Sequence, residues 1–259
     1  MNTDSGGGAP GRGGGFSKAM TIDARGLPYR ELNEKIRAAA GEDILVEGCN
    51  GQRYLGAGLA RGRLEIRGTP GNALGAYLDG GEILVRGNAQ EAAGDTMNAG
   101  RIVVHGSCGD GLGYGMRGGL ILVRDDVGYR AGIHMKSYGD RVPAVVVGGG
   151  AGSFLGEYQA GGLILVLGRG REGKPPVGRF CGTGMHGGKI LLRADSLPFD
   201  LPEQVSAREA GPEDLAEFRP YGEAYAETFG VPLEELFRGR FYLLTPNTSS
   251  PYRQLYTNQ

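Results

Sequence analysis

The chain has 259 residues, of which 51 are glycine and 13 are proline, and its charges nearly balance at a net of −1. Glycine follows no strict three-residue period, which excludes collagen, and the hydrophobic share of 40% is sufficient for a packed core, which excludes wholesale disorder. The balanced charge argues against a nucleic-acid-binding protein, and no apolar run approaches the ~18 residues that a membrane-spanning helix needs.

The N-terminal part of the chain divides into a polar tail and a helix. Residues 1–19 are glycine-rich and lack the apolar stretch of a signal peptide, so we predict a flexible tail and a cytoplasmic location. Residues 27–40 predict a helix, because Pro28 suits its first turn and Gly41 follows its end. This helix would cap the first coil of the repeat that follows.

A repeat of 19 to 26 residues occupies the segment 44–194 and predicts the fold. Short segments rich in Ile, Leu and Val are spaced along it, and each ends in a closing residue. The closing positions are 48, 68, 87, 106, 125, 148, 168 and 194. The segments are too short for helices and their β-branched residues favour strands, so the period suits one coil of a β-solenoid. We therefore predict an all-β fold of about seven stacked coils over residues 20–196.

Glycine is expected wherever a coil bends, because it adopts left-handed backbone without a Cβ clash. The predicted corner glycines are Gly48, Gly68, Gly75, Gly87, Gly94, Gly106, Gly113, Gly132, Gly148 and Gly168. Asp125 takes the closing position of the fifth segment, and aspartate tolerates left-handed backbone better than most residues. The longer coils are expected to hold their extra residues in the loops 137–143 and 169–176.

Alternation along each segment predicts which side chains face the solenoid interior. Counting back from the closing residue, the fourth and second positions are apolar in every segment and should point inwards. The third position should point outwards, yet it is also apolar in all segments except the one that holds Glu65. These outward residues are Leu45, Leu84, Val103, Leu122, Val145, Leu165 and Leu191. An apolar outer stripe needs a cover, so we predict that the C-terminal helices cover part of it and that a partner protein binds at Leu84, Val103 and Leu122.

The position just before the closing residue is charged or histidine in most segments. It includes Arg67, Arg86, Arg124 and Arg193, one above another along the solenoid. Like charges stacked one coil apart repel, so carboxylates from the acidic C-terminal helices or from a partner should face them. We therefore add Arg67, Arg86 and Arg124 to the candidate partner interface.

The C-terminal region, 197–259, differs in composition from the repeat. Residues 213–237 predict two short acidic helices, broken near Gly230-Val-Pro232, and Phe241–Leu244 could form a late strand. The segment 250–256 is aromatic and contains proline, which favours a docking arm over a helix.

Three glycine patterns resemble nucleotide-binding motifs but lack the context that those motifs require. Gly113–Gly118 and Gly182–Gly187 match G-x-G-x-x-G, yet each precedes a predicted strand instead of the helix whose N-terminus binds pyrophosphate. Gly168–Lys174 matches the start of a P-loop, but Pro175 stands where the Mg²⁺-binding Ser or Thr should be. We interpret the first two as corner glycines and the third as a basic, solvated loop.

Histidine and cysteine do not form a metal-binding pattern. His105 lies near Cys108, and Cys181 near His186, but zinc needs three or four converging ligands, so we predict no metal site. The third cysteine is Cys49, and the wide spacing of the three predicts free thiols in a reducing compartment.

Asp125 and Asp126 are the only local pair of carboxylates that a solenoid hydrolase or lyase acting on polysaccharides could use. A pair of corner residues explains them more simply. We predict no catalytic residue and no bound cofactor in this chain.

Several segments together resemble the G-x-G-x-G domain of glutamate synthase, in its archaeal-type stand-alone form. They are 50–54, Gly68–Gly75, Gly111–Gly119, Asp125–Lys136 and Cys181–Gly188. The resemblance extends over about residues 22–256, most of the chain, and it includes the closing segment 250–256. It implies a right-handed, single-stranded parallel β-helix without catalytic residues. The repeat also resembles one of the subunits of formylmethanofuran dehydrogenase and its formyltransferase/hydrolase relatives, so that type of complex stays an alternative.

The glutamate synthase resemblance implies a role for this chain beside catalytic partners. In that family an amidotransferase domain releases ammonia from glutamine, and a domain with FMN and an iron–sulfur cluster uses it to convert 2-oxoglutarate to glutamate. The β-helix braces the two. We therefore expect amidotransferase-like and FMN-binding partner subunits, with both cofactors in a partner. Asn2 stands in place of the N-terminal cysteine nucleophile, so this chain should not turn over glutamine. A stand-alone carbohydrate-active enzyme is the third alternative.

Overall fold

The computed structural model describes residues 19–197 and 200–247, and most of them belong to one sheet. Strand β1 (Met20–Asp23) and helix α1 (Tyr29–Ala38) come first. The strands of the repeat are β2 (Asp43–Asn50), β3 (Arg63–Thr69), β4 (Asp79–Arg86), β5 (Ala99–Val104), β6 (Leu120–Val123), β7 (Ala144–Val147), β8 (Ala160–Val166) and β9 (Gly187–Arg193). The C-terminal elements are β10 (Val205–Glu209), α2 (Pro212–Phe229), α3 (Leu233–Leu236) and β11 (Phe241–Pro246).

The order of the strands shows how the chain winds. The 11-stranded sheet runs β1-β2-β3-β4-β5-β6-β7-β8-β9-β11-β10, and neighbours from β1 to β9 are parallel. Successive parallel strands can pair only if each connection returns the chain to the same end of the sheet. A second series of parallel bridges joins consecutive coils, through Ala89, Cys108, Val127, Ala151 and Val177. The fold is therefore predominantly β and β-helix-like, as the repeat predicts.

The interior of the coils is filled by columns of apolar side chains from opposite walls. Ile83 and Val85 of β4 are fully buried, and their counterparts in the other strands repeat at the same register. The facing wall contributes two columns of side chains. One consists of leucine and alanine and includes Leu74 and Ala93, and the other contains methionine and includes Met97. These positions form one continuous core from β1 to β11. The predicted inward positions are confirmed in every strand except β7.

Strand β7 is shifted by one residue from the predicted register. Val145 pairs with Ile121 and faces the interior, whereas Val146 pairs with Leu122 and faces outwards. The prediction of an outward Val145 is therefore wrong. The preceding coil carries the insertion 137–143, so counting back from Gly148 placed the strand one residue out of register.

The predicted corner glycines fall into two groups with different physical reasons. Seven have left-handed backbone, with φ between +57° and +123°; they are Gly48, Gly68, Gly75, Gly94, Gly113, Gly132 and Gly168. The backbone of Gly87, Gly106 and Gly148 is not left-handed, and a Cβ there would overlap a neighbouring coil or helix. The backbone of Asp125 is not left-handed either, so the predicted reason for an aspartate at this closing position is wrong.

Both ends of the solenoid are covered by elements of this chain. At the N-terminal end β1 pairs with β2, and α1 places Leu32 and Ile36 in the core. At the C-terminal end the antiparallel strands β11 and β10 cover the edge of β9, which removes an exposed edge. Helix α1, the break between α2 and α3 at Gly230, and the strand at Phe241 are as predicted, whereas β1 and β10 were not predicted.

The outer face of the sheet is buried under the C-terminal helices. We call the outward apolar residues of β4 to β9 the outer stripe; it comprises Leu84, Val103, Leu122, Val146, Leu165 and Leu191. Helix α2 packs on β7 and β8, and its Phe218 and Tyr225 are fully buried against the stripe. Leu84, Val103 and Leu122 are only 5%, 1% and 0% exposed. Their prediction as a partner interface is therefore corrected, because this chain supplies the cover itself.

In the described part of the chain, neither α1 nor α2 nor α3 has the combination of length and apolar character that crossing a bilayer would require. The predicted tail 1–19, apart from residue 19, and the predicted docking arm 250–256 lie outside the described residues.

Removal of the Phe218 ring should loosen the helical cover. We expect Phe218→Ala to lower the free energy of unfolding by about 3–5 kcal/mol, since it opens a cavity between α2 and the outer stripe. Urea denaturation followed by circular dichroism measures this. Tyr138→Ala removes a ring that is 68% exposed and serves as the control, with an expected change within about 0.5 kcal/mol. Equal effects of the two substitutions would contradict a stabilising role of the helical cover.

A methyl group on Gly148 should also destabilise the fold. A Cβ there would overlap the hydroxyl of Tyr225 and the carbonyl oxygen of Arg124, which are themselves hydrogen-bonded at 2.8 Å. We expect Gly148→Ala to cost about 2 kcal/mol or more, because backbone and a buried ring must shift. Gly170→Ala is the control, since its left-handed backbone carries strain but its surroundings are open. The urea midpoint of the first variant should lie below that of the second.

Candidate functional site

The turn that holds Gly113–Gly118 is built from three left-handed residues at alternate positions. They are Gly111, Gly113 and Gly115, with φ of +67°, +66° and +58°. The outer amides of the triplet donate to the next coil, as Gly111 N–H does to the Tyr129 carbonyl oxygen at 2.7 Å. The central amide donates to the preceding coil, from Gly113 to the Ala93 carbonyl oxygen at 2.8 Å. The amides of the three left-handed residues thus point alternately to the next coil and to the preceding coil.

The same triplet recurs along the solenoid, but its outer members are often not glycine. The central positions are Gly56, Gly75, Gly94, Gly113, Gly132, Gly156 and Gly182. The left-handed outer residues with side chains are Tyr54, Ala73, Tyr77, Ala92, Thr96, Arg130, His134, Phe154, Tyr158 and Phe180. Sequence reasoning missed them. The available signal was their spacing, two residues on either side of a periodic glycine.

Neither G-x-G-x-x-G stretch has the geometry of a dinucleotide site. Gly113–Gly118 leads directly into β6, and Gly182–Gly187 leads into β9. Without a helix N-terminus, no set of convergent amides faces a pyrophosphate. The amides of both turns are instead used in hydrogen bonds between coils.

The P-loop-like segment borders a charged cavity of about 320 Å³ at the C-terminal end of the solenoid. The cationic lining residues are Arg171, Lys174, Arg193, Arg238 and Arg240, and the acidic ones are Glu172, Asp195 and Glu235. Pro175 and Pro176 follow Lys174, and the chain then bridges to Ala151 at Val177 instead of entering a helix. The segment is a loop with mixed charge, not a phosphate cradle.

We call Arg67, Arg86, Arg124 and Arg193 the arginine ladder. The charges of the first three are paired with carboxylates of nearby residues. Arg67 binds Glu47 at 2.8 Å, and Arg86 lies 3.4 Å from Glu65, whose carboxylate is buried between the two arginines. Arg124 binds Asp125 at 2.9 Å. For Arg67, Arg86 and Arg124, the predicted pairing with carboxylates of the acidic C-terminal helices is therefore wrong, because Glu47, Glu65 and Asp125 take that role.

Arg193 differs from the other arginines of the ladder. Its guanidinium donates to the carbonyl oxygens of Glu235 at 2.9 Å and Leu236 at 3.3 Å, at the end of α3. Burial, and then the charge of Arg169, lowers the pKa of Arg193. The side chain anchors α3 to the last strand of the repeat and satisfies carbonyls that the helix leaves unpaired.

The histidine and cysteine pairs do not converge. His105 faces outwards, where its ring lies edge-on to Phe229 at 5.1 Å, while Cys108 faces the solenoid core. Burial, and then the nearby Arg86, lowers the pKa of His105. Over residues 19–197 and 200–247, no group of three or more His, Cys, Asp or Glu side chains could hold a metal ion.

Asp125 and Asp126 have separate structural partners. The hydrogen bond from Arg124 lowers the pKa of Asp125, which is opposite to the shift that a general acid needs. Asp126 accepts the Gly150 amide at 2.7 Å and lies 3.0 Å from Arg171, which links adjacent coils. The pair therefore does not form a site for acid–base hydrolysis of polysaccharides.

The three cysteines are free and buried, as predicted for thiols. Burial raises the pKa of Cys49 to about 11 and the pKa of Cys108 and Cys181 to about 12. We expect no reaction of the folded chain with a thiol reagent such as DTNB at pH 8, since the reactive thiolate is scarce and enclosed. Three equivalents should react in 6 M guanidinium chloride. Rapid labelling of the native chain would contradict this placement.

Comparison with known proteins finds one family model and one curated relative. The model for the GXGXG motif matches residues 37–235. An uncharacterized protein of Methanocaldococcus jannaschii is 41% identical over 251 residues, which cover 92% of this chain and 96% of that protein.

A similar solved structure is a chain of the formyltransferase/hydrolase complex from Methylorubrum extorquens, determined in complex with methylofuran. It is 17% identical, with a TM-score of 0.60, and the match covers 92% of this chain and 94% of that one. At this identity the likeness shows a shared fold. Because the family model covers most of the solenoid, including the left-handed triplets, this chain belongs to the GXGXG motif family.

Proposed function

We propose that this chain is a non-catalytic structural subunit of a multi-subunit glutamate synthase, in which it braces an amidotransferase subunit against an FMN-binding subunit. The observation that carries the proposal is that the polar groups of the solenoid make contacts within this chain. The ladder arginines, Asp125, Asp126 and many amides of the glycine turns make contacts that hold the solenoid together. A chain of this kind offers surface and rigidity, and its chemistry would come from partners.

The choice of glutamate synthase rests on particular segments of the repeat. Asp125–Lys136 holds the Asp-Asp-Val-Gly-Tyr-Arg run, and the resemblance continues to the Pro-Tyr segment near the C-terminus. In this proposal the solenoid is a right-handed parallel β-helix of about seven coils. It works in the cytoplasm, and FMN and an iron–sulfur cluster belong to a partner. The membership of the GXGXG family supports the proposal.

A formyl-transfer complex is the second candidate, and a specific observation favours it. The chain shares the fold of a chain in the formyltransferase/hydrolase complex of Methylorubrum extorquens over nearly the full length of both. In that alternative this chain has the same bracing role, and the partners carry one-carbon chemistry instead of ammonia transfer. The two candidates differ in partners and reaction, so one experiment separates them.

Purification through an affinity tag on this chain, from its native host, tests the proposal. We expect a complex that contains an amidotransferase-like subunit and an FMN-binding subunit. The complex should form glutamate from glutamine and 2-oxoglutarate with reduced methyl viologen as electron donor. The chain expressed alone should show neither FMN absorbance nor glutaminase activity.

Two outcomes would contradict the glutamate synthase assignment. Recovery of this chain without stoichiometric partners would remove the bracing role altogether. A complex that transfers formyl groups and forms no glutamate would assign the chain to the second candidate. Asp126→Asn, tested in the same complex, should leave glutamate formation within about 2-fold of the wild type, because Asp126 contacts Gly150 and Arg171 of this chain and has no catalytic role in the proposal.

A further inference from the structure

The outer members of the left-handed triplets place aromatic side chains on one corner of the solenoid. Among the described residues, large hydrophobic side chains that are exposed include Tyr54, Tyr77, Tyr114, Tyr129 and Phe180, all on or beside these triplets. More of the aromatic side chains lie on the later coils, after residue 110. We call its ring-bearing side chains the aromatic ridge; they are Tyr114, Tyr129, His134, Phe154, Tyr158 and Phe180.

The turn itself does not require these side chains. Gly111, Gly115 and Gly184 occupy the same positions in other coils with the same left-handed backbone. A residue with a Cβ costs about 1–2 kcal/mol more than glycine in this conformation. Arg130, His134, Phe154, Tyr158 and Phe180 are thus held in a conformation in which glycine would fold more easily. Contacts between the rings offset part of this cost, but strained residues at the surface indicate a role beyond folding.

The central rings of the ridge are in contact with other groups of this chain. Phe154 stacks on Phe180, with ring centroids 5.1 Å apart, and the guanidinium of Arg130 lies over the Phe154 ring at 5.0 Å. The guanidinium of Arg179 lies over the Phe180 ring at 5.1 Å. Bases and sugars bind proteins by stacking on free ring faces. Because these contacts occupy the central rings, the ridge suits a protein partner better than a nucleic acid or a polysaccharide.

Tyr158 also packs against groups of neighbouring coils. It stacks on His134 with ring centroids 5.2 Å apart and an angle of 11°. A Cβ on Gly184 would lie 2.5 Å from its ring, so glycine at 184 makes room for it. His134 in turn meets the edge of Tyr114 at 5.7 Å. The ridge is therefore a preorganised, rigid row of side chains, and rigid aromatic and arginine groups are the residues enriched at protein–protein contacts.

The charged residues beside the aromatic ridge differ from the charged residue beside Tyr77. Arg117 and Lys136 follow Tyr114 and His134 on the same coils, and both are exposed. At the equivalent position of the coil that holds Tyr77, four residues after the central glycine, stands the exposed carboxylate of Asp79 instead. Cations beside apolar ring edges complement a surface that presents apolar side chains and carboxylates.

We propose that the aromatic ridge is the docking surface for a partner protein subunit that presents apolar and acidic side chains. This inference rests on the proposed function, because it assigns the bracing contact to a particular corner of the solenoid. It also relocates that contact from the outer stripe, which α2 covers, to the left-handed turns. The central anchors are Phe154, Tyr158 and Phe180.

Glycine substitution tests the ridge without damage to the turn. The double variant Phe154→Gly and Phe180→Gly, and the single variant Tyr158→Gly, remove rings at positions where glycine suits the backbone. The probe is the partner protein that co-purifies with the wild-type chain, isolated and titrated against each variant by fluorescence anisotropy. We expect the dissociation constant of the double variant to rise at least about 10-fold, as for paired hot-spot residues.

Tyr77→Gly is the matched control. It removes an exposed, left-handed tyrosine from the coil that carries Asp79 in place of a cation, and we expect a change within about 2-fold. All three variants should keep the circular dichroism spectrum and a thermal midpoint at or near that of the wild type. Arg117→Gln with Lys136→Gln should lower the association rate and weaken its salt dependence.

The outcomes separate this inference from the proposed function. If the wild-type chain co-purifies with partners and the ridge variants bind them equally well, the inference is overturned and the bracing role stands. If the wild-type chain has no protein partner, both are overturned. A ridge that binds oligouridine RNA, or that pairs two copies of this chain in sedimentation experiments, would also overturn the inference. An equal loss of affinity in Tyr77→Gly would do the same.

Discussion

The structure depends on how the turns satisfy their backbone amides between coils. A turn in one coil lies between turns of two others, and its amides must find carbonyl oxygens on both sides. Left-handed residues at alternate positions solve this, since the outer two of each triplet donate to the next coil and the central one to the preceding coil. At most central positions glycine also avoids a clash with core side chains, as at Gly94, where a Cβ would meet Ile121. The recurrence of this turn in every coil explains the second series of glycines in the sequence.

From β4 to β9 the sheet of this protein is buried on both faces, which is usual for parallel sheets. Its inner face forms the solenoid core, and its outer face forms a second apolar layer with α2, α3 and β11. The hydroxyl of Tyr225 donates to the Arg124 carbonyl oxygen and so connects the two layers. Because the chain covers this part of its own sheet, the surfaces left for other molecules include the turns and loops, where the aromatic ridge lies.

The strand periodicity was predictable because it is local. Within each segment, side chains alternate between two faces, and the apolar pair at the second and fourth positions marks the interior. Register failed only where an insertion separates the strand from its predecessor, at β7. The arginine ladder was predictable as a set of outward charges, but its partners Glu47 and Glu65 were not. Each lies close to an arginine of the next coil only after the coils stack. Asp125 differs, because it pairs with Arg124, its neighbour in the sequence.

The sequence by itself determined the all-β class, the coil period, the capping helix, the C-terminal helices and most of the interior columns. Each of these follows from residue types at short spacing, where backbone preference and side-chain alternation act directly. Only the tertiary structure decided what covers the outer stripe, since an apolar side chain carries no information about its partner. It also decided which tyrosines, phenylalanines and histidines are left-handed, because stacking against adjacent coils imposes that conformation against the preference of the residue itself.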